Sequence, residues 1–138
     1  MVKELLLKLN QLIIETYQNK YSMKEQFVTY EIALKLKELG FDEECLSFWF
    51  KKEHKLSIEI TYGGLIRMCE INKNSQYDNI SNYISAPIWQ QAIDWLLEKH
   101  NLLVQQGYCK FALITPYDWI GKLTREQAIL KALELINK

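Results

Sequence analysis

Cys109, His100 and an acid, Asp94 or Asp118, are the residues of this chain whose types permit nucleophilic catalysis. A histidine takes the thiol proton and the acid orients the histidine. Such trios assemble in space, so distance along the chain does not exclude one. Cys109 falls in an apparent strand with no special setting, however, and any chain with three cysteines and two histidines offers similar combinations. A zinc site from Cys45, Cys69, Cys109 and His54 or His100 has suitable donors, but it lacks the short paired spacings that set two ligands on one turn. No CxxC pair points to a redox site. Two of the cysteines lie in apparent strands, and free buried thiols in a reducing compartment are the simpler reading. Asp94 and Glu98 stand four apart and share a helix face, an arrangement suited to a cation or to acid–base work. Solvated helix faces carry the same pair routinely. GxGxxG and GxxxxGK[ST] are both absent.

The aromatic residues keep a ligand in view: four Trp and eight Tyr are many for 138 residues. Trp49 falls on the face of its strand opposite Phe48 and Phe50, and Tyr117 and Trp119 sit in a loop beside Pro116. With Arg67 and Lys110 as cations, Trp49, Tyr117 and Trp119 are candidates to stack a base and hold a phosphate. The same rings suit a protein interface, where Tyr and Trp are enriched, or a satellite cluster packed under the helices.

The elements that must position these residues can be read from spacing. Residues 3–18 predict a helix on which Leu5, Leu9, Leu12, Ile13 and Thr16 share a side, widened by Leu6 and Tyr17 and further by Leu7 and Ile14. That stripe is nearly twice the width needed to pack on one core. The helix is either clamped between two elements or meets another subunit through Leu6, Leu7, Ile14 and Tyr17. Residues 29–41 predict a second helix, capped by Thr29 and ended by Gly40, with Ile32, Ala33, Leu36 and Leu39 on one face. Residues 45–50 read as a strand. Leu56, Ile58, Ile60 and Tyr62 alternate with polar residues, and Gly63-Gly64 joins them to 65–71 as a hairpin. In that register Tyr62 faces Leu65, Ile60 faces Arg67 and Ile58 faces Cys69. Arg67 then sits among apolar neighbours and must snorkel or find a partner. Residues 72–84, rich in Asn and Ser, read as a long loop.

Pro87 is placed for the first turn of a third helix, whose apolar face carries Ile88, Trp89, Ala92, Ile93 and Leu96, with Trp95 and Leu97 on its flanks. His100 falls in its last turn. Two short strands, 102–105 and 108–114, turn around Gly107, and 115–123 read as a loop. TREQ (124–127) is a capping box that opens a last helix burying Ala128, Ile129, Ala132, Leu133, Leu135 and Ile136. Strands joined by tight turns imply an antiparallel sheet. The expected fold is a single α+β domain of two layers, about five strands with helices packed on them: residues 1–27 form the N-terminal helix and its connection, 28–138 the core.

The bulk numbers fit a single globular domain. Lys plus Arg balance Asp plus Glu, 17 against 17, so the net charge leaves no footprint for nucleic acid. The N-terminal segment is broken by Lys3, Glu4, Lys8, Asn10 and Glu15 and is too short in apolar run for a membrane span; no cleavage site follows. A cytoplasmic protein without cofactor is the expectation.

TYEIALKLKELGFDEEC (29–45), SAPIWQQAIDWLLEKHNL (85–102) and EQAILKALELI (126–136) together resemble a family of small uncharacterised proteins abundant in Bacteroidetes genomes, phages and prophages. The resemblance covers roughly residues 28–138. It implies a phage-associated context and carries over no activity, substrate or catalytic residue. The resulting expectation is a non-enzymatic interaction or accessory module that self-associates. A small-ligand binder, nucleotide-like in its ligand, is the alternative, and a small hydrolase or metal enzyme a further one.

Overall fold

Thr29 opens α2 (Tyr30–Glu38) as its spacing predicts: its hydroxyl accepts from the Ile32 N–H at 3.4 Å. Gly40, at φ +94°, ends the helix in the left-handed region, and the Phe41 N–H returns to the Leu36 carbonyl at 2.9 Å. That places the Phe41 ring, 1% exposed, in the centre of the core. The computed structural model describes residues 2–20, 23–57, 59–62, 65–68, 72–77 and 82–137, without the side chains of 13–20, 23, 59–62 and 65–68.

The other helices are α1 (Val2–Lys20), α3 (Trp89–His100) and α4 (Arg125–Ile136). The strands are β1 (Ser47–Phe50), β2 (Lys55–Ser57), β3 (Glu59–Tyr62), β4 (Leu65–Met68), β5 (Tyr83–Ala86), β6 (Leu103–Gln106), β7 (Phe111–Ile114) and β8 (Trp119–Leu123). The α+β class is as expected, and every pair of described strands is antiparallel. The single sheet of about five strands is not. The described strands form a sheet in the order β2-β1-β5, a hairpin β3-β4 and a second three-stranded sheet β6-β7-β8.

The alternating run 56–62 explains the difference. It reads as one strand, yet residues 55–57 pair with β1 while 59–62 pair with β4. The β3-β4 register sets Tyr62 opposite Leu65 and Ile60 opposite Arg67, as the spacing predicts. Gly63, Gly64, Ile58 and Cys69 lie outside the described residues, as does the Arg67 side chain.

Three stretches read as loop or helix start are structured differently. Within 72–84, Asn72 bridges to Cys45, 74–76 form a 3-10 turn, and Tyr83 begins β5. Two asparagines of 72–84, Asn72 and Asn74, are internal braces. The buried Asn72 amide donates to the Cys45 and Ser47 carbonyls, both at 3.1 Å, and its oxygen accepts from the Ser85 hydroxyl at 2.7 Å. Asn74 donates to the Phe41 carbonyl at 2.8 Å and accepts from the Ser85 N–H at 2.9 Å. A polar side chain can be buried when its hydrogen bonds are met inside. Residues 115–123 hold a turn and then β8. The Thr115 hydroxyl accepts from the Asp118 N–H at 2.9 Å, tightening the turn. The Trp119 ring then lies over Gly121, where a Cβ would collide with it. Pro87 precedes the helix rather than entering it. Ile88 is the N-cap of α3, and the Pro87 carbonyl accepts from the Val28 N–H at 3.0 Å.

One core joins α2, α3 and α4 to β5, β6 and β7, through Ile32, Leu36, Ile84, Leu96, Val104, Leu113, Ile129 and Leu133 among others. Trp95, expected on a flank, is buried against Phe41, whereas Leu97 on the other flank, and Ile88 and Leu135, expected at the apolar faces, are exposed. The capping box is present: Thr124 accepts from the Gln127 N–H at 3.1 Å, and the Gln127 side chain accepts from the Thr124 N–H at 3.0 Å. Among the described residues, α1 does not pack on the rest of the chain as the other helices do. No described helix is long and apolar enough to cross a membrane.

Candidate functional site

Residues 23–26 form a short 3-10 turn, and Phe27 then bridges to Ile88. This link draws the chain before α2 across the start of α3 and leaves a groove beside β1. Trp49 from β1, Trp89 from the first position of α3 and Arg125 from the first position of α4 line it, with Phe27 and Val28 between them and Lys24 and Glu25 alongside. Its volume is about 420 Å³, within the usual range of small-molecule sites.

Each indole is fixed. Trp49 Nε1 donates to the Val28 carbonyl at 3.1 Å, and Trp89 Nε1 donates to the Glu25 carbonyl at 2.7 Å. Tyr30 meets Trp49 edge to face at 6.0 Å and stacks on His54 at 3.9 Å. The Arg125 guanidinium lies over Trp89, 4.3 Å from the ring centroid, a cation–π contact. Burial holds its pKa below the usual arginine value. Among the described residues, Arg125 has neither a carboxylate within ion-pair distance nor a hydrogen bond to the protein. A smaller hollow of about 190 Å³ lies on the other side of Arg125 and Trp89, lined by the amides of Gln26, Gln90 and Gln106 with Ile88, Ile93 and Phe111.

A third hollow, about 440 Å³, has a different character. Glu43, Glu44, Asp94 and Glu98 surround it, over Leu46 and Ile88. Glu43 Oε2 is enclosed there without a hydrogen-bond partner among the described residues. Burial, then the charges of Glu98 and Asp94, raise the Glu43 carboxyl above the usual range, while Lys99 pulls it down. Among the described residues, no group of three or more His, Cys, Asp or Glu is placed to hold a metal ion.

The candidates read from the sequence disperse over the fold. Trp49 lines the aromatic groove, whereas Lys110, in the turn before β7, is not among the residues lining it. Tyr117, 99% exposed, and Trp119, 63% exposed, lie at the β7-β8 turn, beyond the opposite end of β7 from Lys110. Cys109 is exposed in the same turn as Lys110, not buried in a strand. Cys45 is buried, and burial followed by the charge of Glu43 pushes its thiol up to about 12, far from a reactive thiolate. His100 packs edge-on against Trp95 at 4.8 Å. Phe48, Phe50, Tyr77 and Tyr83 form a separate ring cluster on the face of β1 opposite Trp49; Phe48 and Tyr83 are 5.0 Å apart.

Spacing alone did not single out Trp89 or Arg125. Trp89 reads as one more apolar residue of α3, and Arg125 as filler within the capping box TREQ. Only the packing of α3 against α4 brings them together. At the other extreme of exposure, Leu5, Leu6, Leu7, Leu9 and Leu12 of α1 are each more than half exposed. The Ile14 and Tyr17 side chains lie outside the described residues. No family model, curated protein or solved structure matches this chain.

Proposed function

We propose that this chain is a non-enzymatic interaction module that self-associates through α1. The exposure of the α1 leucines carries the reading: Leu5 is 67%, Leu7 66% and Leu12 60% exposed. Isolated helices owe little stability to propensity and most of it to burying an apolar face. A helix of 19 residues with leucines around much of its circumference therefore calls for a partner surface. Burying each leucine against a second copy contributes roughly 2 kcal/mol, so a few suffice for a stable pair. Leu6 and Leu7, 55% and 66% exposed, lie on the flank that widens the stripe and supply the seam. A cytoplasmic setting belongs to the proposal, since the exposed Cys109 thiol is at home in a reducing compartment. The phage or prophage context suggested by the family resemblance fits an accessory role.

The test is molar mass by light scattering over a dilution series, on the parent and on a variant carrying Leu6→Glu and Leu7→Glu. The parent is expected to exceed the monomer mass and fall toward it on dilution. The variant is expected to stay monomeric with an unchanged core melt. A parent that is monomeric throughout the series would end the reading.

A further inference from the structure

We propose that the groove between Trp49 and Trp89 binds a small aromatic anion, with its ring body against the indoles and its carboxylate or phosphate on the Arg125 guanidinium. The first support is the state of Arg125. Its guanidinium is half-buried and held over Trp89 at 4.3 Å, yet no acid or carbonyl among the described residues engages it. A planar fork with its donors unspent matches the paired oxygens of a carboxylate or phosphate. Burial has already lowered its pKa, so an anionic partner relieves a cost the fold carries.

The second support is the chemistry of the walls. Both indole N–H groups are spent on main-chain carbonyls, Trp49 on Val28 and Trp89 on Glu25. The Thr29 hydroxyl oxygen accepts the Ile32 N–H that caps α2. What these residues offer a ligand is ring and carbon surface, which selects an aromatic body over a free sugar. Among the described residues, the side chains that line the hollow beyond Arg125 with polar groups are neutral amides, apart from Arg125 itself, so none of them sets a carboxylate against the anionic end. Glu25 flanks the main groove and is balanced by Lys24. No described α1 side chain lines either hollow, so the site is distinct from the exposed leucines of α1.

Isothermal calorimetry on the full chain tests this with indole-3-acetate, adenosine monophosphate, adenosine and inorganic phosphate as probes. At least one of the two aromatic anions is expected to bind saturably at up to millimolar concentration. Adenosine and phosphate, each with half of the chemistry, are expected to bind about tenfold more weakly or not at all. Binding of adenosine monophosphate alone marks nucleotides as the source; binding of indole-3-acetate alone marks aromatic acids. Arg125→Gln is expected to lose about tenfold or more, and Arg125→Lys, which keeps the charge without the fork, to recover only part. Both variants should melt close to the parent, because Arg125 has no hydrogen-bond partner among the described residues and Arg125→Gln gives up only its cation–π contact with Trp89. Failure of both aromatic anions to bind, or binding that Arg125→Gln leaves unchanged, would overturn the proposal.

Discussion

Asn72 shows how much one side chain can hold. Its amide ties the start of β1 to β5 by donating to the Cys45 and Ser47 carbonyls and accepting from Ser85. Asn72→Ala removes these bonds and leaves the Ser85 hydroxyl without its acceptor where it is buried, and a cost of about 2–3 kcal/mol is expected in urea unfolding. Glu43 works the other way. Its carboxyl is raised in the folded state by burial and by Glu98 and Asp94. A raised carboxyl holds its proton more tightly when folded, so its contribution to stability is full below the ordinary carboxylate pKa. That contribution is lost as pH rises through the raised value. Glu43→Gln is therefore expected to melt above the parent at neutral pH and level with it in acid; equal melts at both pH values would refute the assignment. The role of Asn72 was hidden in the sequence, because an Asn- and Ser-rich stretch has the composition of a solvated loop whether or not a buried carbonyl awaits each amide.

At the scale of elements, caps were the most legible signals. Thr29 and the box formed by Thr124 and Gln127 act within four residues of chain, so the physics that makes them is present in the local sequence. Thr124→Ala is expected to cost about 1 kcal/mol of stability, read by the same urea titration. Helices α1 and α2 followed their apolar spacing for the same reason. Strand β8 did not show itself. Its residues Trp119–Leu123 hold a glycine, and Lys122 adopts φ +60°, so no alternation marks it. It forms because β7 offers an edge, with a register shift between Phe111 and Leu113. Strand β5 is likewise short and ends against Pro87, and it exists as a partner for β1.

For the whole molecule, helix positions, caps, the β3-β4 register and the α+β class could be read from the amino-acid order, because each depends on neighbours a few residues apart. The division of the strands into separate sheets could not. The alternation of 56–62 specifies which side chains share a face and leaves open which edge each half will find. The candidate site was only half legible. Trp49 stood out by its position in β1, but the cation beside its groove is Arg125 from the far end of the chain. That meeting depends on α3 and α4 packing in one core, a long-range arrangement that no local spacing encodes. The broad apolar stripe of α1 was visible in the sequence. That its described side chains are exposed rather than clamped in the fold was decided by tertiary structure, because the core of described residues closes around α2, α3 and α4 without them.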